Sequence, residues 1–222
     1  KKMTGSSSIF WANKGIKEVA MNESDYERLL RIQTVGMREW KYQSSHYNRY
    51  EATPYDALKV LFEAYEWQRV KGMVDFGCGK GRVPFYVHHF HHISVTGIEM
   101  SGQLYQQSME NLMKYTERAK PTRASISFEC CLAEEYKIGP QEDCFYFFNP
   151  FSTPIFQKVV HNILESLEDH PRTMDIILYY PTSDYIEFLE RETVFELWKE
   201  IHIPKHYEEN SNERLMIYRS EL

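Results

Sequence analysis

Residues Val74 to Gly81, V-D-F-G-C-G-K-G, constrain this chain more than any other stretch. Met73-Val74-Asp75-Phe76 is a short apolar run carrying one acid, and it breaks at once into alternating glycines. Glycines at such a break permit a tight turn and close approach of a ligand to the backbone, beside the free N–H groups of a helix start. The run reads as a strand, and residues 82–91 read as a helix with Pro84 tolerated in its first turn. A dinucleotide loop requires G-x-G-x-x-G, but counting from Gly77 the third glycine position is Arg82. A triphosphate loop requires Lys-Ser/Thr after its glycines, and Gly81-Arg82 supplies neither. Both pyrophosphate-cradling readings weaken together. An acid at the strand end suits a cationic ligand and repels a phosphate.

Alternating strand and helix patterns surround this segment. Strands are expected at Ile93–Met100, Ala124–Cys131, Cys144–Phe148, Met174–Tyr180, about 199–203 and Arg214–Arg219. Helices are expected from Asn22 or Ser24 to about Trp40, over 56–70, from Gly102 to about Arg118, and over 154–168 and 184–198. Pro54 is well placed to open the second of these. The strands are apolar without clean alternation, as when both faces of a parallel sheet are buried. The expectation is an α/β fold: a doubly wound, mostly parallel seven-stranded sheet with helices on both faces. Residues 1–55 read as an N-terminal helical cap over the C-terminal edge of that sheet, where such folds bind ligands, and 56–222 as the main domain.

Composition narrows the partners. Lys and Arg total 26 against 32 Asp and Glu, a formal net charge of -6, so the basic footprint of a phosphate-binding surface is missing. Cys78, Cys130, Cys131 and Cys144 match no zinc spacing and read as free, partly buried thiols in a reducing compartment. No run approaches the roughly 18 apolar residues of a membrane span, and the first residues are not a signal peptide. A cytoplasmic, non-membrane protein is expected. His88 and His92 share a helix face, with His89 and His91 nearby, but no acid stands at H-E-x-x-H spacing, and no metal is expected.

The pattern acid-x-G-x-G-x-G, present as Asp75, Gly77, Gly79 and Gly81, resembles the first motif of the class I (Rossmann-like) S-adenosylmethionine-dependent methyltransferases. The resemblance implies S-adenosylmethionine as cofactor. Its amino acid portion would lie near Asp75, and its body over the backbone of Gly77, Cys78, Gly79 and Gly81. Glu99, 24 residues beyond Asp75 at the end of the second strand, stands where the family places its ribose-binding acid, with Met100 as a wall for the adenine. Leu132 occupies a position where an Asp is common, so the adenine contact passes to Glu134 or to backbone near Ala133. Asn149-Pro150-Phe151 resembles, with one proline missing, the D/N-P-P-aromatic motif of amino-methylating members. Asn149 would orient the acceptor, also beside the cofactor, and Phe151 would wall it. From the cap, Tyr47, Arg49, Glu51, Thr53 and Tyr55 are candidates to close the site. Arg49 and Thr53 are assigned to the cofactor's amino acid end and Tyr55 to the chemistry. The implied reaction is methyl transfer to a small-molecule or modest polar acceptor. Two other readings share the pocket: nucleobase N-methylation of RNA or DNA, and a non-catalytic cofactor-binding interaction or sensor protein.

Overall fold

The computed structural model describes residues 21–36, 50–119 and 122–221. In chain order these form α1 (Glu23–Leu30), α2 (Tyr55–Ala64), β1 (Gly72–Phe76), α3 (Arg82–His91), β2 (Ser94–Ile98), α4 (Gly102–Thr116) and β3 (Ile126–Glu129). There follow β4 (Cys144–Phe147), α5 (Thr153–Asp169), β5 (Met174–Tyr179), α6 (Ser183–Glu192), β6 (Glu196–His202), the one-turn α7 (His206–Glu209) and β7 (Arg214–Ser220). The strands make one sheet in the order β3-β2-β1-β4-β5-β7-β6. β1 pairs in parallel with both β2 and β4, while β7 is antiparallel to β5 and β6.

Every residue of β1, β4 and β5 is buried, because helices cover both faces. On one face Met73, Val95, Tyr146 and Ile177 pack with Tyr26 and Leu30 of α1, Leu58 and Leu61 of α2, and Phe85 of α3. On the other, Val74, Phe76, Phe145, Phe147 and Ile176 meet Phe156 and Val160 of α5 and Phe188 of α6. Tyr26, Leu30 and Ile32 thus share a core with the sheet that follows them. The edge strand β6 is mostly exposed and carries Glu196, Lys199 and Glu200, charges that discourage pairing with a further strand. Among the described residues, no helix is long and apolar enough to cross a membrane.

Several boundaries differ from the sequence expectation. The first helix stops at Leu30 instead of running toward Trp40, because Arg31 turns left-handed (φ 59) and closes the helix with N–H bonds to Arg28 and Glu27 carbonyls. The second ends at Ala64 and is followed by a separate 3-10 turn at Trp67–Arg69. The helix expected to reach residue 198 ends at Glu192. There the Thr193 hydroxyl bonds the Leu189 carbonyl at 2.6 Å and accepts the Phe195 N–H at 3.2 Å, drawing the chain out of the helix and into β6. Cys130 is exposed, whereas the other three thiols are buried or half-buried.

Candidate functional site

The order of strands reverses between β1 and β4, and the ends of those strands with β2 frame a crevice. β1 leaves the sheet through Gly77, Gly79 and Gly81, all with left-handed backbone at φ 78, 56 and 88. A Cβ on Gly77 would lie 2.5 Å from Pro150 Cβ, and one on Gly79 would lie 2.0 Å from the Tyr50 ring. Only glycine satisfies both the backbone and this close approach. The N–H groups of Gly77 and Cys78 both donate to the Ile98 carbonyl, at 2.9 and 3.0 Å, tying the turn to the end of β2.

Glu99 follows β2 and is buried under this turn. Its Oε2 accepts the Gly79 N–H at 2.9 Å and its Oε1 the Ser101 N–H at 2.7 Å, which leaves lone pairs on both oxygens. Asp75, only 4% exposed, has no hydrogen bond or ion pair among the described residues. Burial, and then the charge of Glu99, holds its carboxyl well above the ordinary carboxylate range. Burial likewise raises Glu99, against the N–H groups of Ser101, Gly79 and Met100 that favour its ionised form. Cys78 lies between them with Sγ against Gly97, and burial followed by both acids pushes its thiol up, so it is a poor nucleophile. Two buried acids flank a glycine turn that lies beneath Tyr50 at Gly79, while Lys80 and Arg82 of the same segment bind the Val35 carbonyl and Glu23 and Glu27. An unpaired buried carboxylate suits an ammonium, and a carboxylate with lone pairs to spare suits a diol. The residues present therefore fit S-adenosylmethionine.

Residues 50–54 meet this turn through Tyr50 and the end of β4 through Thr53. Tyr50 covers Gly79 and donates its hydroxyl to the Thr34 carbonyl at 2.8 Å. Thr53 is buried with its hydroxyl 2.9 Å from that of Tyr146, the β4 neighbour of Asp75. Tyr55 is placed differently from its expected chemical role. Its ring stacks on Tyr26 at 4.5 Å, and its hydroxyl donates to Glu27 at 3.0 Å. Arg82, in the first turn of α3, binds Thr34 Oγ1 at 2.7 Å, Glu23 at 2.7 Å, the Thr53 carbonyl at 3.1 Å and Glu27 at 3.5 Å, and lies over the Tyr55 ring. Arg49 and Tyr47 lie outside the described residues.

Met100 is half-buried beside Glu99. Ala133 is buried at the start of a 3-10 turn beyond β3, and the Glu134 carbonyl accepts Asn162 Nδ2 at 2.9 Å, fixing this turn on α5. Asn149 is half-buried with left-handed backbone (φ 40) and lines a cavity of about 380 Å³ with Glu51, Pro54, Phe148, Tyr179, Tyr180 and Glu213. The Phe151 ring, expected as an acceptor wall, is instead buried edge-on against Phe147, and its carbonyl accepts the Tyr185 hydroxyl. Tyr50, Arg82, Tyr180 and Glu213 went unread in the sequence, whereas Tyr146 belongs to the aromatic run Phe145 to Phe148, from which Tyr146 or Phe148 was expected at the border of the site. One signal did exist: Tyr179-Tyr180-Pro181 repeats, one strand over, the aromatic-x-Pro pattern of Phe148-Asn149-Pro150.

The histidines of α3 are absorbed by packing. His88 Nδ1 is 2.7 Å from the Tyr115 hydroxyl, and His91 stacks at 4.2 Å on Trp67. Burial, with a smaller effect of His92, pushes the His91 pKa down to about 3.

No family model matches the chain, and no curated protein matches it. Its likeness is to solved structures. With StiE O-MT, residues 961–1257, it shares 13% identity at a TM-score of 0.54, over 75% of this chain and 74% of that one. With a SAM-dependent methyltransferase from Methanosarcina mazei it shares 11% identity at 0.54, over 73% and 97%. With an RNA methyltransferase from Salinibacter ruber in complex with S-adenosyl-L-homocysteine it shares 13% at 0.51, over 77% and 92%. At these identities the likeness speaks for architecture: the chain has the class I, Rossmann-like methyltransferase fold.

Proposed function

We propose that the chain is an S-adenosylmethionine-dependent methyltransferase acting on a small-molecule acceptor in the cytoplasm. The observation that carries this reading is the pair of buried acids either side of the glycine turn, Asp75, whose carboxyl has no partner among the described residues, and Glu99, with lone pairs to spare. The cofactor supplies an activated methyl group. Asp75 holds the ammonium of its amino acid end, with Thr53 and Arg49 beside it, and Glu99 accepts the ribose hydroxyls. The backbone from Gly77 through Cys78 and Gly79 to Gly81 forms the floor, while Met100, Ala133 and Glu134 border the base. Residues 1–55 serve as the cap, which excludes water, and Asn149 aligns the acceptor with the sulfur–methyl bond. The structural relatives named above include an RNA methyltransferase, but the net charge of -6 supports a small acceptor over a nucleic acid. Four free cysteines agree with a reducing compartment.

Calorimetric titration with S-adenosylmethionine and S-adenosylhomocysteine tests the assignment. Wild type is expected to bind in the micromolar range, and Gly79→Arg and Glu99→Ala to weaken binding by about 100-fold or more. Unchanged binding by both folded variants would remove the site. Equally tight binding of NAD would remove the cofactor assignment.

A further inference from the structure

β4 and β5 end in the same way. Each leaves the sheet on a non-glycine residue with left-handed backbone just before a proline, Asn149 at φ 40 and Tyr180 at φ 52. This turns Phe148, Tyr179 and Tyr180 onto the cavity of about 380 Å³, which is at the small end for a small-molecule site. Phe148 lies 4.6 Å from Tyr179 and 6.4 Å from Tyr180 between ring centroids. The rings are held in place, Tyr179 by donating its hydroxyl to Glu213 at 2.5 Å and Tyr180 by accepting Asn210 Nδ2 at 2.7 Å. Two carboxylates, Glu51 and Glu213, complete the lining, which among the described residues includes no Lys, Arg or His. Neither acid has an ion pair among the described residues.

The cavity adjoins the cofactor cradle. Pro150, next to Asn149, packs on Gly77, and the strap of residues 50–54 runs from Tyr50 on Gly79 to Glu51 and Pro54 in the cavity wall.

We propose that this cavity is the acceptor pocket and that its substrate is a small amine, which leaves as an organic cation. The inference rests on the methyl-transfer reading. In the step, the lone pair of a neutral amine nitrogen forms the new N–C bond as the S–C bond breaks. The electron pair of that bond stays on sulfur, which becomes a neutral thioether, and the positive charge arrives on nitrogen. The two carboxylates and the aromatic lining of Phe148, Tyr179 and Tyr180 stabilise charge that develops at that point, and do so more in the transition state than in the ground state. An amine that arrives protonated first loses its proton to bulk water at the mouth, where Glu51 is exposed. An oxygen acceptor gives up its proton during the step and leaves uncharged, so no cation develops for Glu51 and Glu213 to hold, and one that enters as an anion is repelled by them.

The test uses the full chain saturated with S-adenosylhomocysteine and titrated with benzyltrimethylammonium, benzyl alcohol or benzoate. The cation should bind at least about ten-fold tighter than the alcohol, and benzoate weaker than both. Glu213→Gln, Glu51→Gln and Tyr180→Leu should each weaken the cation by about ten-fold, while the affinity for S-adenosylhomocysteine moves by less than about two-fold. A cation that binds no tighter than the alcohol, or binding indifferent to all three substitutions, would overturn the proposal and leave the methyl-transfer reading standing. Failure of wild type to bind S-adenosylhomocysteine would overturn that reading, and this proposal with it.

Discussion

Asp75 carries a burial cost that no hydrogen bond or ion pair to its carboxyl among the described residues offsets. Its carboxyl is buried without a hydrogen bond among the described residues, with Glu99, Cys78 and Tyr146 around it and no cation paired to it. Because its folded pKa is raised, its stabilising contribution is complete below the ordinary Asp value and is lost as pH rises toward the folded one. Asp75→Asn should therefore stabilise the free protein at pH 8 by about 1 kcal/mol or more, with the difference from wild type closing toward pH 4. Thermal unfolding over a pH series checks this, and equal melting temperatures throughout would mean that the carboxylate is solvated. The same variant should lose cofactor affinity by at least about ten-fold, read by titration. Asp75 and Glu99 were legible because each ends an apolar run beside a turn, a local signature. Tyr146 was legible as part of an aromatic run at the site's border, but not its partner, since Thr53 lies 93 positions away in the chain.

Helix α1 and the strap 50–54 are held by α3 more than by their own sequence. Arg82 collects Glu23, Glu27, Thr34 and the Thr53 carbonyl, with its side chain 5% exposed. Asn111 of α4 adds a second tie, bonding the Gln33 backbone and the Lys80 carbonyl. Arg82→Ala removes the partner of the largely buried Glu27 and should cost about 3–5 kcal/mol in urea unfolding. It should also speed proteolytic cleavage within residues 31–36. Arg82→Lys should recover only part of the loss, because an ammonium has no planar fork to span those acceptors. Helix positions were readable from apolar spacing and from residues that open helices, such as Asn22 and Pro54. Their ends were less so, because Arg31 and Thr193 stop helices by backbone and hydroxyl bonds that periodicity does not express.

At the scale of the whole molecule, charge and topology act together. With a net charge of -6 and acids at the candidate acceptor cavity, mixed tRNA should show no retention in filter binding at 0.15 M salt. Salt-dependent retention would instead favour a nucleic-acid acceptor. Far from the crevice, Arg219 of β7 grips Asp175 of β5 through two bonds at 2.7 and 3.0 Å, with Tyr65 on the same carboxylate. Arg219→Ala should cost about 3–5 kcal/mol in urea unfolding, because it strands a buried acid. The alternation of apolar strands with helices, and the glycine spacing after β1, are local properties. For that reason the sequence alone determined the fold class and pointed to the turn around Asp75, Gly77, Gly79 and Gly81. What stands opposite that turn was decided only by the tertiary structure. The parallel pairing of β4 with β5 brings Asn149 and Tyr180 side by side, and packing on α3 lays Tyr50 over Gly79. Packing also takes Phe151 and Tyr55 out of the roles their positions in the chain suggested. Contacts between residues a hundred positions apart depend on how whole elements pack, and no local spacing records that.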